Sequence, residues 1–376
     1  MDHVSNHISI DHPWMTNLPT PDWINGTVKN HLVVNNNKMV YTDPHADSST
    51  SEHVYKGWFV DYMPDLNQAN QFLNKYITQN TIWWVETSGV DGIREDTYPY
   101  SNQEFMSTWA KAVMNEYLNF NIVGEVWTGE PSFLAGYQGG SMLKSFDTNL
   151  PAVTDFGMRD VLTNFLNGNS TIEDFYNLLA KDYLYANCNN LVTFIDNHDV
   201  GRAMFQANSD VEKFKIAFYL LLTTHGIPQI FYGTEIGMIE NEDHGALRKD
   251  FPGGFSTDER NAFLQEGRTK YENDIYNYFE SMLALRKKYP SLAKGKLTHF
   301  PVQDNVYIYF KSYENEVVLN IINANKLKVE IDLSEFQHIW GNRKTIINVL
   351  ASTITELCNE PKITVEGMKA KMYLIE

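Results

Sequence analysis

An α/β fold of parallel βαβ units, followed by a small antiparallel β-sandwich, is what this 376-residue sequence predicts. Three observations carry the prediction. From about residue 68 to 295, short apolar segments alternate with longer ones of three- and four-residue apolar spacing. Polar clusters fall directly after the short segments. Past about residue 296 the helical spacing stops and β-branched, alternating runs take over. Doubly wound and barrel architectures both fit, because both place functional residues at the carboxyl ends of strands.

Taken in order, residues 8–60 are rich in Asn, Asp, Thr, Pro and His and lack helical periodicity, which reads as a long insertion or small subdomain. Phe72, Tyr76, Trp83 and Trp84 mark a helix face, and residues 90–93 a short buried strand. Ser101 with Glu104 has the form of a capping box, opening a helix with Phe105, Trp109 and Ala112 on one face. Residues 121–124 form the next strand, and a second box, Ser170 with Glu173, opens another helix. Residues 191–195 are a strand, 210–225 an apolar helix ended by Gly226, 227–231 a strand, and 274–288 a last helix. Residues 305–310, 316–322, 328–333 and 371–375 then read as strands of the sandwich.

Composition narrows the partners. Hydrophobic residues make up 43% and aromatics 13%, enough for a packed core. The net charge of −17, with no basic stripe, argues against nucleic acid and favours a neutral or cationic ligand. No apolar run is long enough to span a membrane. Met1–His7 lacks the charged-then-apolar order of a signal peptide. The two cysteines, Cys188 and Cys358, give no disulfide framework and no metal spacing.

Four clusters carry the chemistry: Asp2-His3-Val4-Ser5-Asn6-His7, Asp91-Gly92-Ile93-Arg94-Glu95-Asp96, Gly124-Glu125-Val126-Trp127 and Asp196-Asn197-His198-Asp199. Two carboxylates suffice for glycoside hydrolysis, one as nucleophile and one as acid and then base. The nucleophile must stay ionised, so a cation such as Arg94 suits Asp96. The acid must hold a proton, so burial or a nearby like charge suits Glu125. A third carboxylate can grip substrate hydroxyls and favour a cationic transition state. His225 reads as structural, the Trp83-Trp84 pair and the Tyr98-Pro99-Tyr100 run as packing, and the aromatics of 214–222 as helix core.

In their order these clusters resemble the α-amylase superfamily (glycoside hydrolase family 13). The strand 3 motif D-x-V-x-N-H resembles Asp2–His7, the strand 4 motif G-x-R-x-D Gly92–Asp96, the strand 5 motif G-E-x-W Gly124–Trp127, and the strand 7 motif N-H-D Asn197–Asp199. Met63-Pro64-Asp65-Leu66-Asn67 is similar to the family's fifth motif, and residues 226–235 to its strand 8 segment. The resemblance implies an incomplete TIM (β/α)8 barrel: residues 1–7 end barrel strand 3, 8–60 are the inserted domain B, 61–295 the remaining barrel (through strand 8), and 296–376 the C-terminal β-sandwich. It implies Asp96 as nucleophile, Glu125 as acid/base and Asp199 as transition-state stabiliser. Arg94 would orient and ionise Asp96, and His7 and His198 would bind the sugar, with Tyr98 and Trp127 as further substrate-binding candidates. Met63–Asn67 and Arg248–Gly254 look like the cyclomaltodextrinase, neopullulanase and maltogenic amylase branch. Members of it act on cyclomaltodextrins, pullulan or maltooligosaccharides through α-1,4 and sometimes α-1,6 links, or transfer glucosyl units. The resemblance favours the periplasm and leaves the cytoplasm open.

No cofactor is expected; calcium binds near domain B in many members, and no ligand set is evident here to predict it. The partner expected is an α-glucan, with no nucleic acid, no membrane and no stated oligomeric state. The family's barrel strands 1 and 2 have no counterpart, so the chain reads as an N-terminal truncation, with exposed sheet edges and apolar helix faces and weak or no activity on its own. Two rival readings are a non-catalytic glucan-binding remnant, against which the intact Asp96, Glu125 and Asp199 stand, and a metal-dependent hydrolase using His198 and Asp199 with His3 or His7, for which no ligand spacing exists.

Overall fold

A computed structural model describes every residue except Ser145, Glu242, Ser352 and 357–360, so Cys358 lies outside the described residues. The chain forms two compact units, Met1–Gly157 with Asp182–Val192, and Met158–Lys181 with Thr193–Glu376.

In the first unit four parallel strands lie side by side in chain order: β1 (Asp2–His3), β2 (Gly92–Glu95), β3 (Asn121–Gly124) and β4 (Ala152–Asp155). Its longer helices are α1 (Ser48–Lys56), α2 (Gln71–Ser88) and α3 (Gln103–Glu116). Leu73, Ile77 and Val85 of α2 and Phe105, Trp109 and Val113 of α3 join Ile93 and Ile122 of the strands in one core. Each strand is only two to four residues long because the apolar runs give way at once to the polar clusters. The insertion is not wholly irregular: Asp47 caps α1 by accepting from Thr50 N, a nine-residue helix that the polar composition concealed. The expected cap of α3 is also displaced. Asn102, not Ser101, accepts from Phe105 N, since an Asn side chain is as good an N-cap as Ser and sits one residue nearer the first turn.

Phe72, Tyr76, Trp83 and Trp84 lie on α2 as expected, but they face outward, at 61, 44, 55 and 44% exposure. The two Trp rings meet edge to face at 4.8 Å. The packing role read for this pair is corrected to a surface one, and this stretch of apolar helix surface is exposed.

The second unit holds most of α4 (Phe156–Asn167), with α5 (Ile172–Leu179), α6 (Val211–Thr223) and α7 (Lys270–Lys288). The box that opens α5 is Thr171 with Asp174, one residue beyond Ser170 and Glu173. The next two strands are shorter than expected, β5 (Val192–Thr193) and β6 (Ile227–Pro228). Past β5 the amides turn from a ladder to side chains: Asn197 Oδ1 accepts from Asp199 N and Val200 N at 2.8 and 3.1 Å. Pro228, the last residue of β6, supplies no N–H. Helix α6 stops at Thr223 rather than 225, where the hydroxyls of Thr223 and Thr224 turn back onto Tyr219 O and Leu220 O.

The C-terminal part is antiparallel. Strands β7 (Lys296–His299), β8 (Val306–Tyr313), β9 (Glu316–Asn323), β10 (Val329–Asp332), β11 (Thr345–Asn348), β12 (Thr353–Glu356), β13 (Lys362–Val365) and β14 (Lys369–Ile375) form one sheet in the order β12-β11-β14-β9-β8-β7 and a pair β10-β13. The period of two is visible in what each residue packs against. Tyr307 and Tyr309 of β8, Val318 and Ile322 of β9 and Met372 of β14 join Phe214, Phe218, Phe279 and Leu285 of the helices. Ile308, Phe310, Leu319, Ile321 and Tyr373 face the other way, onto Leu333, Phe336, Trp340 and Val365.

Candidate active site

The first unit builds its cluster by strand register. Asp2 lies opposite Arg94 and His3 opposite Glu95 across β1 and β2, and Glu95 lies opposite Gly124 across β2 and β3. The backbone ladder runs one residue further: Asp96 N donates to His3 O and Glu125 N to Glu95 O, both at 2.9 Å. Asp96 and Glu125 are therefore held at neighbouring strand ends. Gly124 makes room for this, since a Cβ there would lie 2.8 Å from Leu150 Cδ2 and 3.0 Å from Tyr98 Cγ.

Arg94 is the hub. Its Nη1 donates to Asp2 Oδ1 at 2.8 Å and to Asp96 Oδ1 at 2.9 Å, and its Nη2 is 3.0 Å from Glu125 Oε1. Glu125 Oε2 accepts from Thr97 N at 2.8 Å. Thr97 has φ of 48°, a left-handed conformation costly for a β-branched residue. That turn aims its N–H at the carboxylate. Burial alone would lower the Arg94 pKa, but Glu125, Asp2 and Asp96 outweigh it and raise it, so the guanidinium is charged at any working pH. Around it Glu125 is nearly buried at 7% side-chain exposure, while Asp96 keeps 22% open to an incoming ligand.

His7 stands near Asp96. Burial lowers its pKa and Asp96 only partly opposes this, so a neutral ring is favoured; it packs edge-on against Phe59 at 5.4 Å. Trp127 is 42% exposed and stacked on Phe156 at 5.0 Å, so one ring face remains for a ligand. Tyr98 is a correction. Expected among the substrate-binding side chains, it is fully buried, packed against Gly124 and Tyr137, because the Thr97 turn sends the chain back into the core.

His3 is occupied on both nitrogens, by Glu95 Oε2 at 2.5 Å and Thr81 Oγ1 at 3.0 Å. That leaves it no lone pair for a metal, and the metal-ligand reading loses it.

The second unit gathers Asp199, His198 and Arg248. His198 Nε2 lies 3.0 Å from Asp199 Oδ2, Arg248 Nη2 donates to Asp199 Oδ1 at 2.7 Å, and Arg248 Nε to His198 O at 3.1 Å. Burial would raise the Asp199 pKa, but the hydrogen bond and charge of His198 and the charge of Arg248 lower it on balance, keeping it ionised. Asp196 is buried, accepting from Ala203 N and Thr234 Oγ1, and burial raises its pKa. It is a structural residue. Arg202, also fully buried, donates to Tyr232 O and Leu247 O and so ties down the segment that carries Arg248.

The structure thus brings Arg94, Asp96, Glu125 and His7 together in the first unit, and His198 and Asp199 in the second. Sequence reasoning missed Asp2, Thr97 and Arg248 as participants. Asp2 was in sight, as the first residue of the first cluster.

Residues 1–263 match the family model described as α-amylase, catalytic domain, and residues 297–373 the model for the cyclo-malto-dextrinase C-terminal domain. Among curated proteins, the chain is 27% identical over 302 residues to a maltogenic α-amylase of Bacillus acidopullulyticus, covering 77% of this chain and 47% of that one. It is 28% identical over 298 residues to a cyclomaltodextrinase of Geobacillus thermopakistaniensis, covering 78% and 46%. The chain therefore spans about half the length of these relatives. The fold is similar to that of an α-amylase from Geobacillus thermoleovorans solved with acarbose, with a TM-score of 0.82 and 23% identity over 100% of this chain and 76% of that one.

Proposed function

Because this chain belongs to the α-amylase family of glycoside hydrolases, we propose that it cleaves α-glucosidic links with retention, using Asp96 as nucleophile, Glu125 as acid/base and Asp199 to grip the sugar hydroxyls. The observation that carries this reading is the single guanidinium of Arg94 joining Asp96 and Glu125 at 2.9 and 3.0 Å. One cation so placed holds two carboxylates at adjacent strand ends.

In the first step Glu125 gives its proton to the glycosidic oxygen as the C1–O bond breaks. Asp96 attacks C1 from the opposite face and forms a β-linked glycosyl ester. In the second step Glu125 takes a proton from water, the water oxygen bonds to C1, and Asp96 leaves as carboxylate. The two inversions return the α configuration. The ionised Asp199 binds hydroxyls and favours the positive charge that develops at C1. Cyclomaltodextrins, pullulan and maltooligosaccharides are the proposed substrates, by α-1,4 cleavage and, for some, α-1,6; the names of the relatives support that class.

Glu125→Gln separates the two halves of this reading. Hydrolysis of maltohexaose is expected to fall by about 10²–10⁴-fold. Hydrolysis of α-maltosyl fluoride should fall far less in its first step, because fluoride leaves without a proton. Proton NMR of early wild-type product should show the α-anomer. A β-anomer as first product, or equal losses on both substrates, would overturn the assignment.

A further inference from the structure

We infer that the open edge of β10 accepts an extended polypeptide segment of alternating basic and apolar residues, added as a third strand to the β10-β13 pair. Register identifies the edge. Val329 lies opposite Val365 and Ile331 opposite Ile363, and just past them Leu333 N donates to Pro361 O at 2.8 Å. Hydrogen-bonded positions alternate along an antiparallel ladder. Val329, Ile331 and Leu333 therefore turn their backbone groups to β13, and Glu330 and Asp332 turn theirs away from it. Among the described residues nothing hydrogen-bonds to the backbone N–H or C=O of Glu330 or Asp332.

A groove of about 350 Å³ runs along that edge. All four residues of β10 line it and none of β13 does, and Phe300, Val306 and Ile308 are on its far side. The space thus lies where a third strand would run. Two strands are scant cover for a sheet of six. Phe300, Val306, Val329 and Ile331 pack on the core beneath but stay partly exposed, so apolar side chains pointing inward from an added strand would finish burying them. Charge selects the occupant. Asp304, Glu330, Asp332 and Glu335 rim the groove, and all four are exposed. Glu330 has Lys362 Nζ at 3.2 Å and Asp332 Oδ1 accepts from Ser334 N. No described side chain pairs with the carboxylates of Asp304 and Glu335. Charged edges repel strands of like sign, and a net charge of −17 sets a second copy of the chain against this rim as well. A segment with Lys or Arg between apolar residues meets both the rim and the floor, and its main chain gives affinity by strand addition. A glucan carries no amide ladder to match the edge.

The probe is a tagged, capped peptide of alternating Lys and Val, seven residues long, titrated with the full chain and read by fluorescence anisotropy. Its Kd should be about 10–100 μM, the scale of a small transient interface. The counterpart with Glu in place of Lys should bind at least ten-fold more weakly. Two further peptides, N-methylated at every Val or at every Lys, test the geometry. Only one set of amides can face β10, so one methylated peptide should bind within about three-fold of the parent and the other at least ten-fold more weakly, for the loss of two or three hydrogen bonds. Hydrogen exchange at the amides of Glu330 and Asp332 should slow on binding, while Val329 and Ile331 are protected beforehand by β13. Glu330→Pro and Glu330→Gln both lack the charge, but only Pro lacks the outward N–H, so Pro should bind about 3–10-fold more weakly than Gln. If Glu330→Pro fails to fold, the methylated pair still decides, since it leaves the protein unaltered. No binding by wild type, equal affinity for the two methylated peptides, equal affinity for the acidic peptide, or unchanged exchange at Glu330 and Asp332 overturns the inference. Displacement by maltohexaose also overturns it, by assigning the groove to a sugar.

Discussion

Asp96→Asn is expected to lower hydrolysis by about 10⁴-fold or more, the scale seen when the nucleophile is removed from a set of groups acting as a unit. The carboxamide keeps the size of the side chain and an oxygen for Arg94 Nη1, now 2.9 Å from Asp96 Oδ1. Arg94 also retains Asp2 at 2.8 Å and Glu125 at 3.0 Å. No buried cation is left without a counter-charge, so stability should change by no more than about 0.5 kcal/mol. The loss must then appear in kcat, because an amide does not form the glycosyl ester. Steady-state rates on α-maltosyl fluoride give the ratio. Mass spectrometry after a slow fluorinated glycosyl fluoride locates the ester, expected on the peptide holding Asp96 in wild type and absent in the variant. A folded Asp96→Asn protein with more than a tenth of the activity, or a label on another peptide, would remove Asp96 from the role.

The reach of this prediction depends on what was legible in the sequence. The strand-end clusters were legible because each follows directly on an apolar run, so strand register alone puts Arg94, Asp96 and Glu125 beside one another. The C-terminal alternation was legible for the same local reason, with Tyr307 and Tyr309 on one face and Ile308 and Phe310 on the other. What escaped depends on distant partners. Tyr98 was read as a substrate contact, and it takes the Thr97 turn and the bare Cα of Gly124 to bury it. Lys38 is 62 residues from Tyr100, and nothing in the composition of residues 8–60 hints at that contact. Arg248 reaches Asp199 across 49 residues. The cap positions slipped by one because the S-x-x-E pattern recurs by chance beside Asn102 and Thr171, which have the better geometry.

His3→Gln is expected to destabilise the first unit by about 3–5 kcal/mol near pH 6, the usual cost of removing one partner from a buried ion pair. His3 is 8% exposed and Glu95 fully buried. Glu95 Oε1 accepts from Ser5 N at 3.1 Å and from Ser5 Oγ, and Oε2 faces His3 Nδ1 at 2.5 Å. The protonation state follows from counting donors. Thr81 Oγ1 gives its one hydrogen to Ile77 O at 2.8 Å and accepts from Trp109 Nε1 at 3.0 Å, so His3 Nε2, also at 3.0 Å, must donate to it. Nδ1 faces a carboxylate and donates as well, making an imidazolium stacked on Trp109 at 5.5 Å. Burial alone would lower the pKa of His3, but the charge and hydrogen bond of Glu95 outweigh it and raise it above the ordinary 6.5. A raised folded-state pKa gives stability that is fully present below the unfolded value and is lost as pH rises through the folded one. The gap between wild type and His3→Gln should therefore be widest near pH 5–6 and narrow toward pH 9, read by urea unfolding at each pH. Glu95→Gln removes the charge that raises His3 and should flatten the same profile. An equal gap at both ends of the range, or a loss under about 1 kcal/mol at pH 6, would dismiss the ion pair. The pair matters to the site because Glu95 lies between Arg94 and Asp96 in sequence, and His3 O holds the Asp96 amide at 2.9 Å. Loosening it should therefore also lower kcat, with the loss greatest where the pair is intact in wild type.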